Sequence, residues 1–224
     1  MKISQQTLSF LQALQHNNNR QWFQQHKEAY EVARTEFIQF SQKLLEGISK
    51  FDPTVSPDQP ISDCIFRIYR DVRFSKDKTP YKTHFSAAFS SMGKKTQVPG
   101  YYFQLAPGAT FLIVGIWQPD KDRLHAIRQE IDYNGDDFHS ILQNKRFNTN
   151  WQLSVEDRLK TRPKGYEASH PDIELLRLKS FMATRSISDA ELLSSNAIPL
   201  ILEACNHAGP FLHFLYTALE DFKP

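Results

Sequence analysis

Residues 101–117 read Tyr101-Tyr-Phe-Gln-Leu-Ala-Pro-Gly-Ala-Thr-Phe-Leu-Ile-Val-Gly-Ile-Trp117. Two largely apolar segments, 101–105 and 111–117, flank Pro107-Gly108, a dipeptide typical of a tight hairpin turn. Because parallel neighbours need a crossover of about a dozen residues or more, this short link predicts an antiparallel pair of strands. The second segment is apolar on both faces, which places it near the centre of the sheet.

Further strands are predicted on either side of this hairpin. Residues 85–89 form one, followed by a turn within residues 93–100, and a strand over residues 179–185 forms another. These short links favour a meander, in which each strand pairs with the next along the chain. The sequence therefore predicts an antiparallel meander sheet of about four to six strands, built from residues 64–117 and 179–185.

The first strand of that sheet is predicted over residues 64–74, where apolar side chains recur at every second position. They are Cys64, Phe66, Ile68, Val72 and Phe74. Arg70 is the charged residue on this apolar face. Because buried charges are almost always paired, we expect Arg70 to contact an aspartate.

Helices are predicted on both sides of the sheet. Ser4 is a typical N-cap for a short helix, and the pattern over residues 20–48 predicts one long amphipathic helix. The tail over residues 197–222 is helical in pattern, with an interruption at Gly209-Pro210. We therefore expect a single α+β domain over residues 1–224, with the sheet packed against N-terminal and C-terminal helices.

Composition excludes several classes of protein. Lys and Arg number 27 against 25 for Asp and Glu, a net charge of +2, which is too balanced for a dedicated duplex-DNA binder. The chain has neither the apolar run of a signal peptide nor the roughly 18 apolar residues of a membrane span. Cys64 and Cys205 lie far apart, so we expect free thiols in a reducing compartment and a cytoplasmic protein without membrane contact.

Candidate ligand-binding residues are concentrated in the segment Arg67–His84. Residues 67–82 hold six basic and two acidic side chains, although the whole chain is almost neutral. Guanidinium groups bind carboxylate or phosphate in a bidentate manner, lysines add point charges, and tyrosines offer stacking faces. The predicted ligand-binding residues are Arg67, Tyr69, Arg70, Arg73, Lys76, Lys78 and Lys82. The natural guest is a small phosphorylated or carboxylated molecule.

The same segment holds the candidates for catalysis, although the sequence does not decide whether the protein is an enzyme. Asp71 or Asp77 is a candidate base, and Tyr81 or His84 a candidate acid. Each would need a shifted pKa to act near pH 7.

Two alternative functions stay open beside the anion pocket. One is a module for single-stranded nucleic acid or nucleotides, in which tyrosines stack on bases and the basic turn follows the phosphates. The near-neutral net charge makes this alternative weaker. The other is a non-enzymatic structural or partner-binding domain, whose basic cluster is a salt-bridge network.

The central motif, from Arg67 to His84, together with Trp22-Phe23, Gly115-Ile-Trp-Gln-Pro119 and His170-Pro171, resembles a bacterial family known as domain of unknown function 2461. The resemblance covers nearly the whole chain. It implies a single-domain cytosolic protein, and the family offers no established activity to carry over. Its shared pattern adds four weaker candidates for the same pocket, namely Arg128, Lys164, His170 and Lys179.

No metal site or cofactor is predicted. The eight histidines show no metal-ligand spacing, and the sequence lacks a Cys-x-x-Cys pair. The sequence has eight glycines, and they do not form a glycine-rich phosphate-binding loop.

Overall fold

The structure, a computed structural model, describes residues 1–94 and 97–222. It contains a five-stranded sheet in which neighbouring strands are antiparallel, in the order β1-β2-β3-β5-β4. The strands are β1 Phe85–Phe89, β2 Gly100–Leu105, β3 Thr110–Ile116, β4 Gln152–Leu153 and β5 Phe181–Ile187. The predicted α+β fold is therefore confirmed, and β3 lies at the centre of the sheet. The turn predicted within residues 93–100 includes residues 95 and 96, which lie outside the described residues.

The β2–β3 hairpin turns at Pro107-Gly108, as predicted. The N–H of Ala109 donates to the carbonyl of Ala106 over 3.0 Å, and Gly108 has a φ of +68°. A proline followed by a glycine with positive φ is the signature of a type II turn, because glycine adopts this conformation without a Cβ clash.

Helices precede the sheet in the chain, lie between β3 and β5, and follow β5. The N-terminal ones are α1 Gln5–His16, α2 Arg20–Gln25, α3 Lys27–Ile48 and α4 Ile61–Cys64. The later ones are α5 Lys121–Tyr133, α6 Gly135–Gln143, α7 Lys145–Asn150, α8 Ile173–Leu176, α9 Asp189–Leu193, α10 Ala197–His207 and α11 Gly209–Ala218, before a 3₁₀ turn, Glu220–Phe222. Ser4 caps α1 as predicted, and α10 ends just before Gly209-Pro210.

The prediction of one continuous helix over residues 20–48 is wrong at His26. Its backbone leaves helical geometry at φ −110° and ψ +24°, so α2 and α3 are separate. The His26 ring lies 2.8 Å from the carbonyl of Trp22, which also accepts the backbone N–H of His26. A side chain that competes for a helical carbonyl in this way favours a break in the helix.

One face of the sheet is buried under helices. Phe37 of α3 stacks on Phe85 of β1, with ring centroids 5.3 Å apart, and on Phe103 of β2 at 5.9 Å. Alternate residues of β1, β2 and β3 are buried on this face. Burying an aromatic side chain of this size contributes about 1.5–3 kcal/mol, so this face holds the sheet and the N-terminal helices together.

The opposite face of the sheet is only partly covered. Ala88, Tyr102, Ile113 and Met182 share this face in adjacent strands, and all four are half-buried. The second apolar face of β3, which predicted its central position, is thus in part an open surface.

The strand predicted over residues 64–74 is wrong. Only isolated bridges form there, Ile65 with Ala87 and Tyr69 with Tyr81. The N–H of Arg70 donates to the carbonyl of Pro80 and the N–H of Lys82 to that of Ile68. The start of the segment therefore touches β1 and the rest folds back on itself instead of forming a strand, and Phe74 is 96% exposed.

Two further expectations concern thiols and membranes. Cys64 and Cys205 are buried free thiols, as predicted. Burial raises the pKa of the Cys64 thiol to about 11, so it stays protonated near neutral pH. In the part of the chain that the structure describes, no helix combines the length and the apolar character needed to cross a membrane.

Candidate ligand-binding site

Arg70 is bound inside the loop that Arg67–His84 forms. Its guanidinium donates to Asp77 Oδ2 over 2.5 Å and to the hydroxyl of Thr79. Two hydrogen bonds lower the pKa of the Asp77 carboxyl to about 2. The bond from the Thr79 backbone N–H has the larger effect, and the bond from Arg70 has the next largest. The expected aspartate partner of Arg70 is therefore present, and the pair closes the turn between residues 70 and 79.

Arg73 and Lys78 are also bonded within this loop. Arg73 binds Asp71 in a bidentate manner, with N–O distances of 3.0 and 2.7 Å, and thereby lowers the pKa of the Asp71 carboxyl. Lys78 Nζ donates to the backbone carbonyl of Val72 over 3.0 Å. Both residues are exposed, so their charges still face solvent.

Lys82 stands apart from these paired charges. It is half-buried, and its Nζ lies 5.3 Å from the centre of the Phe66 ring. Burial and the nearby guanidinium of Arg67 both lower the pKa of the Lys82 ammonium. Among the described residues no carboxylate pairs with Lys82 or Arg67, and Arg67 and Lys76 are exposed. Two cations thus lie near each other and neither forms an ion pair within the described residues, although the charge of Arg67 also lowers the pKa of the nearby Asp71 carboxyl.

His84 directly precedes β1 and lies near Lys82. Burial and the neighbouring Lys82 lower the pKa of its imidazole to about 4. At neutral pH His84 is therefore uncharged, with one ring nitrogen as a donor and the other as an acceptor.

Tyr81 anchors the loop and is closed to a ligand. Its ring stacks on Phe23 of α2 at 3.9 Å, and its backbone N–H and carbonyl both bond the Asn18 side-chain amide. Tyr69 packs beside Tyr81 at 5.5 Å but is half-exposed, which leaves part of its ring free for stacking.

A groove of about 400 Å³ opens on the uncovered face of the sheet, next to Lys82. We call it the sheet-face groove. Its apolar lining comprises Phe66, Ala88, Tyr102, Ile113, Trp117 and Met182. Lys94 also lines it and donates to the carbonyls of Ser62 and Ile65, and within residues 1–94 and 97–222 it forms no ion pair with a carboxylate. Because Phe66 both lines the groove and lies under Lys82, the apolar surface adjoins the cations directly.

The four weaker candidates lie in a different environment. Arg128 donates to the carbonyls of Leu176 and Leu178, and Lys179 pairs with Asp157 at 2.5 Å. His170 bonds Asp132 through Nε2 at 2.8 Å, and Lys164 is exposed. Within the described residues, no hydrogen bond or ion pair joins any of the four to the Arg67–His84 loop.

Sequence reasoning missed several groove residues, namely Phe66, Lys94, Trp117 and Met182. The available signal was the double-sided apolar pattern of β3, since a strand with two apolar faces needs cover on both. No sequence pattern indicated that Phe66 lies over the sheet, because its position depends on how the adjacent Arg67–His84 loop folds.

Comparison with protein families gives one match. The model described as a conserved hypothetical protein, DUF2461, matches residues 6–214 of the chain. No curated protein matches the sequence, and no solved structure does. The matched range includes the whole of the Arg67–His84 loop and all five strands. The chain therefore belongs to the conserved hypothetical family DUF2461.

Proposed function

We propose that this protein binds a small anionic molecule, phosphorylated or carboxylated, that also has an apolar or aromatic part. Arg67 and Lys82 hold the anionic group, and the sheet-face groove takes the apolar part. The observation that supports this most is the half-buried ammonium of Lys82, which lies near Arg67 and forms no ion pair with any carboxylate that the structure describes. Bringing two like charges together at a partly desolvated position is unfavourable, and a bound anion offsets that cost.

Direct acid–base catalysis is less well supported than binding. Asp71 and Asp77 have lowered pKa values because Arg73, Thr79 and Arg70 bond them, so they are weak bases near pH 7. His84 is the better candidate for proton transfer. An anion bound at Lys82 would raise the pKa of the His84 imidazole towards its ordinary value.

Within residues 70–79, the ion pairs support the alternative in which the basic cluster is a salt-bridge network. Arg70 and Arg73 are matched by Asp77 and Asp71. We therefore assign these two arginines to shaping the loop and reserve ligand contact for Arg67 and Lys82, with Lys76, Lys78 and Tyr69 at the exposed rim.

Isothermal titration calorimetry with three probes tests this function. The probes are 1-naphthyl phosphate, inorganic phosphate and 1-naphthol, which present both parts of the ligand, its anion alone and its ring alone. We expect 1-naphthyl phosphate to bind more tightly than either fragment. Lys82→Gln and Arg67→Gln should each weaken its binding about tenfold, or roughly 1.4 kcal/mol.

Arg73→Gln is the matched control, since it removes the same charge from the same loop at a paired position. It should leave the affinity for 1-naphthyl phosphate unchanged. Equal binding by the wild type, Lys82→Gln and Arg67→Gln would refute the proposed site. An eight-residue oligothymidylate tests the nucleic-acid alternative. Binding tighter than that of 1-naphthyl phosphate, with a steep fall in salt, would favour that alternative instead.

A further inference from the structure

A second cavity lies between the loop after α3, the start of β2 and the helix α11. Its volume is about 640 Å³, larger than the sheet-face groove. We call it the Asp52 cleft, after the carboxylate that lines it. Its other lining residues include Phe51, Pro99, Tyr101, Leu212, Tyr216 and Phe222.

The Asp52 carboxylate is buried, with 7% of the residue exposed. Its Oδ1 accepts from the backbone N–H of Thr54 at 2.9 Å and from the Thr54 hydroxyl at 2.7 Å. Its Oδ2 accepts from the hydroxyls of Tyr101 at 3.0 Å and Tyr216 at 3.4 Å. Among the described residues, no Lys, Arg or His forms an ion pair with Asp52.

The two tyrosines supply hydrogen bonds and no counter-charge. Burial, and after it the proximity of Asp52, raises the pKa of both the Tyr101 and the Tyr216 hydroxyl. Both therefore stay protonated near neutral pH. Buried carboxylates usually have a cationic partner, and Asp52 has neutral donors only.

The cluster also holds more acceptors than donors. The Thr54 hydroxyl lies 2.9 Å from the Tyr216 oxygen as well as within reach of Asp52. The Tyr216 hydroxyl lies 3.3 Å from the carbonyl of Pro99 as well as within reach of Asp52. Because each hydroxyl has one proton, it donates to one of its two acceptors at a time and leaves the other without that donor.

We propose that the Asp52 cleft binds a small organic cation, a primary ammonium group attached to an aromatic or aliphatic body. An ammonium group brings three N–H donors and a positive charge, the two features that the cluster around Asp52 lacks. The rings of Phe51, Tyr101 and Tyr216 give the body apolar contact and attract a cation through their faces.

Arg123 also lines the cleft, but its charge is matched elsewhere. Its guanidinium pairs with Asp120 and lies 5.1 Å from the centre of the Phe222 ring. Arg123 thus has Asp120 as its carboxylate partner and forms no ion pair with Asp52. Its Nε–H is buried and has no hydrogen-bond partner among the described residues.

Titration of the wild-type full-length chain with three matched probes tests this site. Benzylamine, benzyl alcohol and benzoate share one ring and differ in charge. Two-dimensional amide NMR at pH 7 gives the affinity of each. We expect benzylamine to bind at least tenfold more tightly than benzyl alcohol, and benzoate to bind least. Benzyl alcohol binding as tightly as benzylamine, or benzoate binding more tightly, would overturn the proposal.

Variants locate the binding. Asp52→Asn should reduce the affinity for benzylamine at least tenfold and leave that for benzyl alcohol unchanged. Asp58→Asn removes the same charge from an exposed position of the same loop and should change neither. If Asp52→Asn does not fold, Phe222→Ala takes its place, since it removes a ring from the cleft wall. Unchanged benzylamine binding in a folded variant of either kind would refute the site.

Discussion

The sheet-face groove and the Asp52 cleft border the same part of the chain, since Val98 and Tyr101 line both. They differ in the sign of the charge that lacks a partner. Among the described residues, Lys82 and Arg67 beside the groove form no ion pair with a carboxylate, and Asp52 in the cleft forms none with a cationic side chain. We have therefore proposed ligands of opposite charge for the two surfaces.

The two surfaces also differ in how they are assembled. Lys82 and Arg67 come from one short loop, in which Asp71 and Asp77 match Arg73 and Arg70. The cluster in the cleft joins Asp52 to Tyr101 and Tyr216, which are 49 and 164 positions away. The difference teaches that a dense cluster of charges can be matched within its own loop, whereas a single buried charge can lack an ionic partner.

Replacing Asp52 by alanine should have the largest effect on stability. The change leaves Tyr101, Tyr216 and the Thr54 N–H without their shared acceptor in a buried position, which we expect to lower the free energy of unfolding by about 3 kcal/mol. Urea unfolding followed by circular dichroism measures this. Asp58→Ala, at an exposed position, should leave the midpoint unchanged. A loss below about 1 kcal/mol for Asp52→Ala would show that the cleft does not depend on these bonds.

His84 should make the free energy of unfolding fall in acid. Its folded pKa of about 4 lies below the unfolded value of about 6.5, so the unfolded chain takes up the proton first as the pH falls. The contribution of His84 to the free energy of unfolding is therefore fully present above about pH 6.5. It is lost as the pH falls from about 6.5 to 4, by roughly 2 kcal/mol once the value is reduced for the partial exposure of the side chain. Urea unfolding at several pH values should show a smaller loss for His84→Gln.

A ligand sharpens that measurement. Bound 1-naphthyl phosphate places negative charge near Lys82 and should raise the folded pKa of the His84 imidazole. The acid-dependent loss in the wild type should then shrink. An unchanged pH dependence with the probe bound would place the anion away from His84.

Lys82→Met should separate stability from binding. The substitution removes a partly desolvated ammonium from beside Arg67, although it also removes the contact of Lys82 with Phe66. We expect the free energy of unfolding to rise by up to about 1 kcal/mol while affinity for 1-naphthyl phosphate falls. Thermal unfolding and calorimetry on the same sample measure both. A destabilised variant that keeps its affinity would assign Lys82 to structure alone.

Arg73→Ala should have the smallest effect. Arg73 and Asp71 are exposed, and surface ion pairs contribute little to stability because water and salt screen them. Neither the melting temperature nor the affinity for 1-naphthyl phosphate should change. Early melting of this variant would show that the pair holds the loop, and lost affinity would extend the anion site to Arg73.

Much of the fold followed from local pattern. The hairpin at Pro107-Gly108, the Ser4 cap and the central position of β3 depend on residues close in sequence, whose effects on the backbone are direct. Two local predictions were wrong, the first because of pairing with a later segment and the second because of a contact four residues away, between His26 and the Trp22 carbonyl. The strand over residues 64–74 became a loop because its backbone found partners in residues 80–86, and the long helix broke at His26.

The candidate site divides in the same way. The sequence by itself determined that cationic side chains are concentrated in Arg67–His84, because that concentration is a property of adjacent residues. Only the tertiary structure decided which of these cations are matched, since Asp77 reaches Arg70 through the fold of the loop. It also decided that Lys82 meets Phe66 above the open face of the sheet, and that Asp52 meets two distant tyrosines. No sequence pattern predicts either contact, because these residues are brought together by packing between elements and not by local periodicity.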